Sequence, residues 1–324
     1  MAVHAAGLPG EASEETTIRR VAVVGAGTIG ASWAALFLAR ALEVVVTDPA
    51  EGAEAFTRRF VAGAWPALEA LGAVLPGADP GHLRFESDLG TALAGAEFVQ
   101  ENGPERETFK TDLFARMDAL LPPEVVIASS SSGLLMSRVQ SACRHPGRCV
   151  IGHPFNPPHL IPLVEVVGGE RTDAASVERA MGFYRAVGKH PIRLHKEVPG
   201  HVANRLQAAL WREAIHLAAE GVASVADIDA AVAQGPGLRW AIFGPHMTFH
   251  LGGGGGGMEH FLAHLLGPFE GFWADLGEPR MTPALQRRIV DGVREEAEGL
   301  SVEELSARRD RALVALIRAL GEGG

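Results

Sequence analysis

The run Gly25-Ala26-Gly27-Thr28-Ile29-Gly30 constrains the fold of this chain more than any other feature. It follows the apolar stretch Val21-Ala22-Val23-Val24 and opens the helical pattern Ala31 to Arg40, so a G-x-G-x-x-G sequence stands between a strand and a helix. Gly25 allows a tight turn, Gly27 lets the backbone approach a pyrophosphate, and Gly30 lets helix and strand pack closely. The phosphates then sit at the helix N-terminus, beside Thr28 and Ile29. A second strand, Glu43 to Thr47, ends in Asp48, roughly twenty residues after the glycines, as expected for a carboxylate on the adenosine ribose hydroxyls. Asp48 would repel a 2′-phosphate, and Pro49-Ala50-Glu51 supplies no arginine to accept one. NAD, not NADP, is the expected cofactor.

Further strands are expected at Glu97–Gln100, Val125–Ala128, Cys149–Ile151 and Leu163–Val167, alternating with helical stretches such as Phe56 to Leu71. Short strands, apolar on both faces, belong to a parallel sheet covered by helices. The fold class expected is therefore α/β: a doubly wound, mostly parallel sheet of Rossmann type. After Pro199-Gly200 the pattern turns helical, at Val202–Glu220, Ser224–Gln234, Ala284–Leu300 and Val302–Leu320. The parse is a disordered tail over 1–18, an NAD-binding domain over 19–197, and a smaller all-α domain over 198–324.

Composition narrows the class. A chain of 324 residues, 47% hydrophobic, can bury a large core. A formal charge of −10 argues against nucleic acid or an anionic membrane as partner. Cys143 and Cys149 are the only cysteines, too few for a disulfide scaffold, so a reducing cytoplasm is the default. No apolar stretch is long enough to span a bilayer.

Chemistry is expected from Gly152-His153-Pro154-Phe155-Asn156-Pro157-Pro158 and the following Leu163-Val164-Glu165. An imidazole titrates near neutrality, and a carboxylate on its second nitrogen fixes the tautomer and stabilises the imidazolium. His153, read as lying on a proline-stiffened loop, and Glu165 thus form a candidate proton-transfer pair. A surface histidine and an unrelated strand carboxylate is the other reading of the same residues. Ser129-Ser130-Ser131-Ser132 follows a strand, where loops line the ligand crevice of a parallel sheet, so a hydroxyl there can reach substrate; a solvated serine turn is the alternative.

Taken together, the glycine run with Asp48, the Pro104-Glu105 pair with Lys110, the His-x-x-Asn-Pro segment ending in Leu-Val-Glu, and Pro199-Gly200-x-x-x-Asn204-Arg205-Leu206 resemble the 3-hydroxyacyl-CoA dehydrogenase superfamily. The resemblance covers roughly residues 19 to 324 and is nearest to the branch of lambda-crystallin, L-gulonate 3-dehydrogenase and carnitine 3-dehydrogenase. It implies that His153 is the acid/base, that Glu165 orients it, that Ser132 and Asn204 contact the substrate oxygen, and that Glu105 and Lys110 lie near the nicotinamide ribose. It also implies reversible oxidation of a 3-hydroxy acid to the 3-keto acid. Apolar stripes on the helices of the second domain point to a homodimer through that domain, although core stripes look the same in a sequence.

The substrate is read from fewer residues. The resemblance implies that acyl-CoA members carry basic residues for the CoA phosphates in the helical excursion after the second strand; Val61 to Ala70 here has no cation, which disfavours a thioester. Gly237-Leu238-Arg239-Trp240 matches the branch acting on small free acids: Arg239 is a candidate carboxylate clamp and Trp240 a candidate face for a quaternary ammonium. A structural salt bridge and a core tryptophan are the plainer readings. His246 and His250 have helical metal-pair spacing but no third ligand follows and Pro245 is expected to break the helix, so no metal is expected. Gly252 to Gly257 is too flexible to specify a site. Two alternatives stay open: a true 3-hydroxyacyl-CoA dehydrogenase, and a crystallin-type structural protein that keeps NAD(H) without catalysis.

Overall fold

In the computed structural model, residues 18–322 are described, so the expected tail lies outside the described residues apart from Ile18. The chain runs β1 (Arg20–Val24), α1 (Thr28–Ala39), β2 (Glu43–Thr47), α2 (Ala53–Ala70), β3 (Arg84–Phe85), α3 (Leu89–Leu93), β4 (Phe98–Glu101), α4 (Glu107–Leu120), β5 (Val126–Ser129), α5 (Met136–Val139), β6 (Cys149–Pro154), β7 (Leu163–Gly168), α6 (Ala174–Ala186) and β8 (His190–Arg193). The strands form one sheet in the order β3-β2-β1-β4-β5-β6-β7-β8. Every pairing is parallel except β6 with β7. This is the mostly parallel, doubly wound sheet the alternation of strand and helix calls for.

Alternate side chains build two cores, one on each face. Val21 and Val23 of β1 join Val44, Val46, Phe98 and the residues of α1, α2 and α6. Ala22 and Val24 join Val99, Ile127 and the residues of α4. Helix α1 is buried from Gly30 to Ala39, which explains why it is apolar all round rather than on one stripe. A glycine inside β6 looks like a weak point, yet a Cβ on Gly152 would lie 1.9 Å from Tyr184 Oη, so the strand yields its own side chain to the buried tyrosine. Tyr184 Oη in turn donates to Gln100 Oε1 at 2.6 Å.

Strand order reverses between β1 and β4, and in sheets of this kind ligands bind beyond the carboxyl ends of strands at that point. The antiparallel return of β7 brings Glu165 to the same edge, directly opposite His153. His153 is therefore the fifth residue of a buried strand and not a loop residue; the prolines stiffen the connection that follows it.

Contacts divide the chain into two compact units, one ending at Asn204 and resuming at Arg308, the other spanning Arg205–Ala307. The first reclaims the end of the chain because Leu313, Val314 and Ile317 of the last helix pack on the α1 side of the sheet. The second is all helical: most of α7 (Ala203–Glu220), then α8 (Val225–Gln234), α9 (Pro236–Trp240), α10 (Pro245–Gly252), α11 (Gly257–His264), α12 (Leu266–Asp275), α13 (Pro283–Glu296) and the start of α14 (Val302–Glu322). Pro245, expected to break a helix, instead begins one at a position where its missing N–H costs nothing. The glycine run is the joint between α10 and α11, with Gly254 and Gly257 at positive φ. No helix among the described residues is long and apolar enough to cross a membrane.

Candidate active site

The β1–α1 turn has the geometry its sequence demands. Gly25 has φ +97° and packs so closely on Asn102 that a Cβ would lie 2.8 Å from its carbonyl carbon. At Gly30 a Cβ would come within 1.9 Å of the Gly25 carbonyl oxygen. Gly27 differs: nothing lies within 4 Å of its Cβ position, and both it and Thr28 are exposed at the start of α1. That open space over a helix N-terminus is what a bound pyrophosphate would fill. Ile29 is half-buried against the core. Asp48, half-buried, accepts the amides of Ala26 and Ala50, each at 2.8 Å, which fixes the carboxylate at the end of β2.

At the carboxyl ends of β4 and β5 lies a buried network. Lys110 Nζ meets both oxygens of Glu101, at 2.7 and 2.8 Å, and the Gly103 carbonyl at 3.1 Å. Glu105 is farther, 3.8 Å from Nζ. Glu101 also accepts the Ser129 hydroxyl and the Gly103 amide. Glu105, half-exposed, gathers the serine loop instead: its Oε1 accepts the Ser131 hydroxyl at 2.6 Å and the amides of Ser132 and Gly133 at 2.9 and 3.0 Å. The exposed Ser132 presents its carbonyl to Asn204 Nδ2 at 3.2 Å.

His153 Nδ1 lies 2.9 Å from Glu165 Oε2, both residues buried. The other carboxylate oxygen accepts the amides of Val202 and Ala203 at 2.8 and 3.0 Å, at the start of α7. Burial alone would raise the Glu165 carboxyl. The His153 hydrogen bond, the two amides and the imidazole's charge together hold it below the usual range, so it remains an anion. An ionised carboxylate accepts the proton of Nδ1, which leaves the lone pair on Nε2.

The first unit thus brings together His153, Glu165, Ser132, Asn204, Glu105 and Lys110. Arg239 and Trp240 belong to the other unit, on α9, and both are exposed. Reading the sequence missed Glu101 and His201. Glu101 ends a strand of a parallel sheet, and that position was the available signal. His201 stands between Gly200 and Asn204 with φ +52°, its ring centroid 5.1 Å from that of His153. Its Nε2 lies 3.0 Å from the Ser131 carbonyl, while the buried Nδ1 has no partner among the described residues. Burial holds its imidazole below the ordinary range.

Comparison with known proteins gives consistent matches. The family model described as 3-hydroxyacyl-CoA dehydrogenase, NAD binding domain, matches residues 20–198, and that of the C-terminal domain matches residues 200–294. The L-carnitine dehydrogenase of Nocardiopsis dassonvillei is 53% identical over 305 residues, covering 94% of this chain and 92% of that one. That of Streptomyces coelicolor is 52% identical, covering 95% and 96%. Among solved structures, 5-formyl-3-hydroxy-2-methylpyridine 4-carboxylic acid 5-dehydrogenase, an NAD+ dependent dismutase, superposes with a TM-score of 0.81 at 33% identity, covering 94% and 99%.

Proposed function

We propose, from the premise that the chain belongs to the 3-hydroxyacyl-CoA dehydrogenase family, that this NAD-dependent dehydrogenase of small 3-hydroxy acids takes L-carnitine as its substrate. The observation that carries the reading is the buried His153–Glu165 hydrogen bond at the cofactor edge of the sheet, in a chain half identical to L-carnitine dehydrogenases along nearly its whole length.

Bound at the α1 N-terminus and Asp48, NAD+ supplies the hydride acceptor. His153 Nε2 takes the proton of the 3-hydroxyl as the C–H bond breaks, and returns it to the carbonyl in reverse. Glu165 keeps Nδ1 protonated and offsets the positive charge that forms on the ring. Ser132 and Asn204 orient the substrate oxygen. Glu105 holds the serine loop in place, and Glu105, with the buried Lys110 behind it, would lie near the nicotinamide ribose. In the second unit, Arg239 is a candidate to pair with a carboxylate and Trp240 a candidate face for a quaternary ammonium, and both side chains are exposed.

Initial rates of NADH formation with L-carnitine, L-gulonate, L-3-hydroxybutyrate and 3-hydroxybutyryl-CoA test this. L-carnitine is expected to have the highest kcat/KM. Helix α2 carries Arg58 and Arg59, of which Arg58 pairs with Glu54 at 2.7 Å, so the thioester is the competitor the assay has to exclude. Turnover of the thioester alone would overturn the reading. Inactivity on all four with intact NADH binding would favour the crystallin-like role.

A homodimer through the helical unit is supported by the exposed Trp211, Phe272 and Trp273. A monomer by sedimentation would exclude it. A reducing cytoplasm is supported by the cysteine content, since Cys143 and Cys149 are the only two in the sequence.

A further inference from the structure

We propose that Ser32 and His159 are positioning residues that hold the connection between His153 and Glu165 in register with the helix that seats the cofactor phosphates.

Both residues are buried and stand 127 positions apart in the chain. Ser32 lies on the second turn of α1. Its Oγ accepts the His159 backbone N–H at 2.9 Å and sits 2.8 Å from His159 Nδ1. Burial pushes the His159 imidazole down to about 4, so near neutrality the ring is uncharged. One hydroxyl then accepts from the backbone of residue 159 and donates to its ring, a two-bond clasp that fixes both. The next residue of α1, Trp33, donates from Nε1 to Ser130 Oγ at 3.1 Å, and Ser130 donates to Asn102 at 2.7 Å. Consecutive side chains of α1 therefore hold the loops after β5 and after β6.

The β6–β7 connection is anchored on its other side as well. Lys189 Nζ donates to the carbonyls of Pro158 and Ile161 and lies 5.3 Å over the Trp33 ring. The His159 ring meets Phe60 of α2 edge-on, centroids 5.9 Å apart. The segment so held begins two residues after His153 and ends three before Glu165.

Hydride transfer needs one substrate carbon to face the nicotinamide while its hydroxyl faces Nε2. The start of α1 governs the first position and the ends of β6 and β7 govern the second. A link between them sets their separation, and a misplacement of about 1 Å is enough to slow the chemistry a hundredfold. Neither Ser32 nor His159 belongs to the residues assigned to phosphate, proton or substrate, so removing the clasp should change the rate of the chemical step and spare binding.

The inference rests on reading His153 as the base, so His153→Gln is measured beside the test variants. For Ser32→Ala, kcat with L-carnitine should fall about tenfold, with the NADH dissociation constant and the substrate KM within about twofold. The deuterium isotope effect on kcat with 3-deuterated substrate should rise, because hydride transfer has become slower. His159→Phe, which keeps a ring against Phe60, should move both quantities in the same direction by less. Unchanged kcat and isotope effect in both variants would overturn the proposal, as would a loss of kcat that tracks weaker NADH binding or a lower folded fraction. Turnover retained by His153→Gln sinks the base assignment itself. Inactive His153→Gln with a silent Ser32→Ala sinks only the clasp.

Discussion

Glu165 divides its two oxygens, one to His153 at 2.9 Å and the other to the first amides of α7. Glutamine at 165 keeps an oxygen for the α7 amides and turns an NH2 toward Nδ1, which selects the wrong tautomer. Glu165→Gln should therefore retain its fold and NADH affinity while kcat drops by about two to four orders of magnitude, the usual worth of a working acid/base. Stopped-flow turnover alongside NADH fluorescence titration decides it.

The glycines of the β1–α1 turn should separate stability from cofactor binding. Gly27 has open space at its Cβ position, so Gly27→Ala should leave Tm unchanged and raise the NADH dissociation constant about tenfold or more by obstructing the phosphates. Gly30→Ala drives a methyl into the Gly25 carbonyl, 1.9 Å away, and should both lower Tm and raise the dissociation constant. Equal Tm losses in the two variants would contradict this account.

Lys110 is buried with Glu101 as its nearest partner. Truncating it to Met leaves that carboxylate uncompensated, at a cost of about 3–5 kcal/mol. Urea unfolding should show the loss without cofactor present, whereas a residue that serves only the nicotinamide ribose would leave the apo-protein's midpoint unmoved.

His159 makes stability fall in acid. Burial is the main cause of its lowered pKa, about 4, with Lys189 and Arg309 adding to the effect and Asp310 opposing it. The unfolded chain binds a proton near pH 6.5 that the folded chain refuses, so stability drops as pH falls from about 6.5 to 4 and then levels off. The full change is about 3 kcal/mol. Denaturant midpoints at pH 7 and pH 4.5 should show that part of the loss missing from His159→Phe.

Much of the fold was legible because parallel strands and a buried α1 leave continuous apolar runs between turn residues. The glycine run and Asp48 were legible for the same reason: each of those residues answers a local steric or electrostatic demand. The His153–Glu165 contact was harder, since it depends on β7 running antiparallel to β6 and on a register that no local pattern states. His201 and Glu101 escaped notice because their partners, Ser131 and Lys110, are reached through tertiary packing. The short helices α9 to α12 were missed where glycines and prolines obscure a helical period.

Gly152 and Tyr184 share one space, since any side chain at 152 meets the phenol at 1.9 Å. For anyone reshaping the substrate side by mutagenesis, position 152 is not an independent variable. A library built there alone should return glycine, and larger residues should survive only where a smaller one has replaced Tyr184, with a coupling visible as strong non-additivity. The residue immediately before the candidate base is thus set from the far side of the sheet, and design at this site begins with the aromatic core.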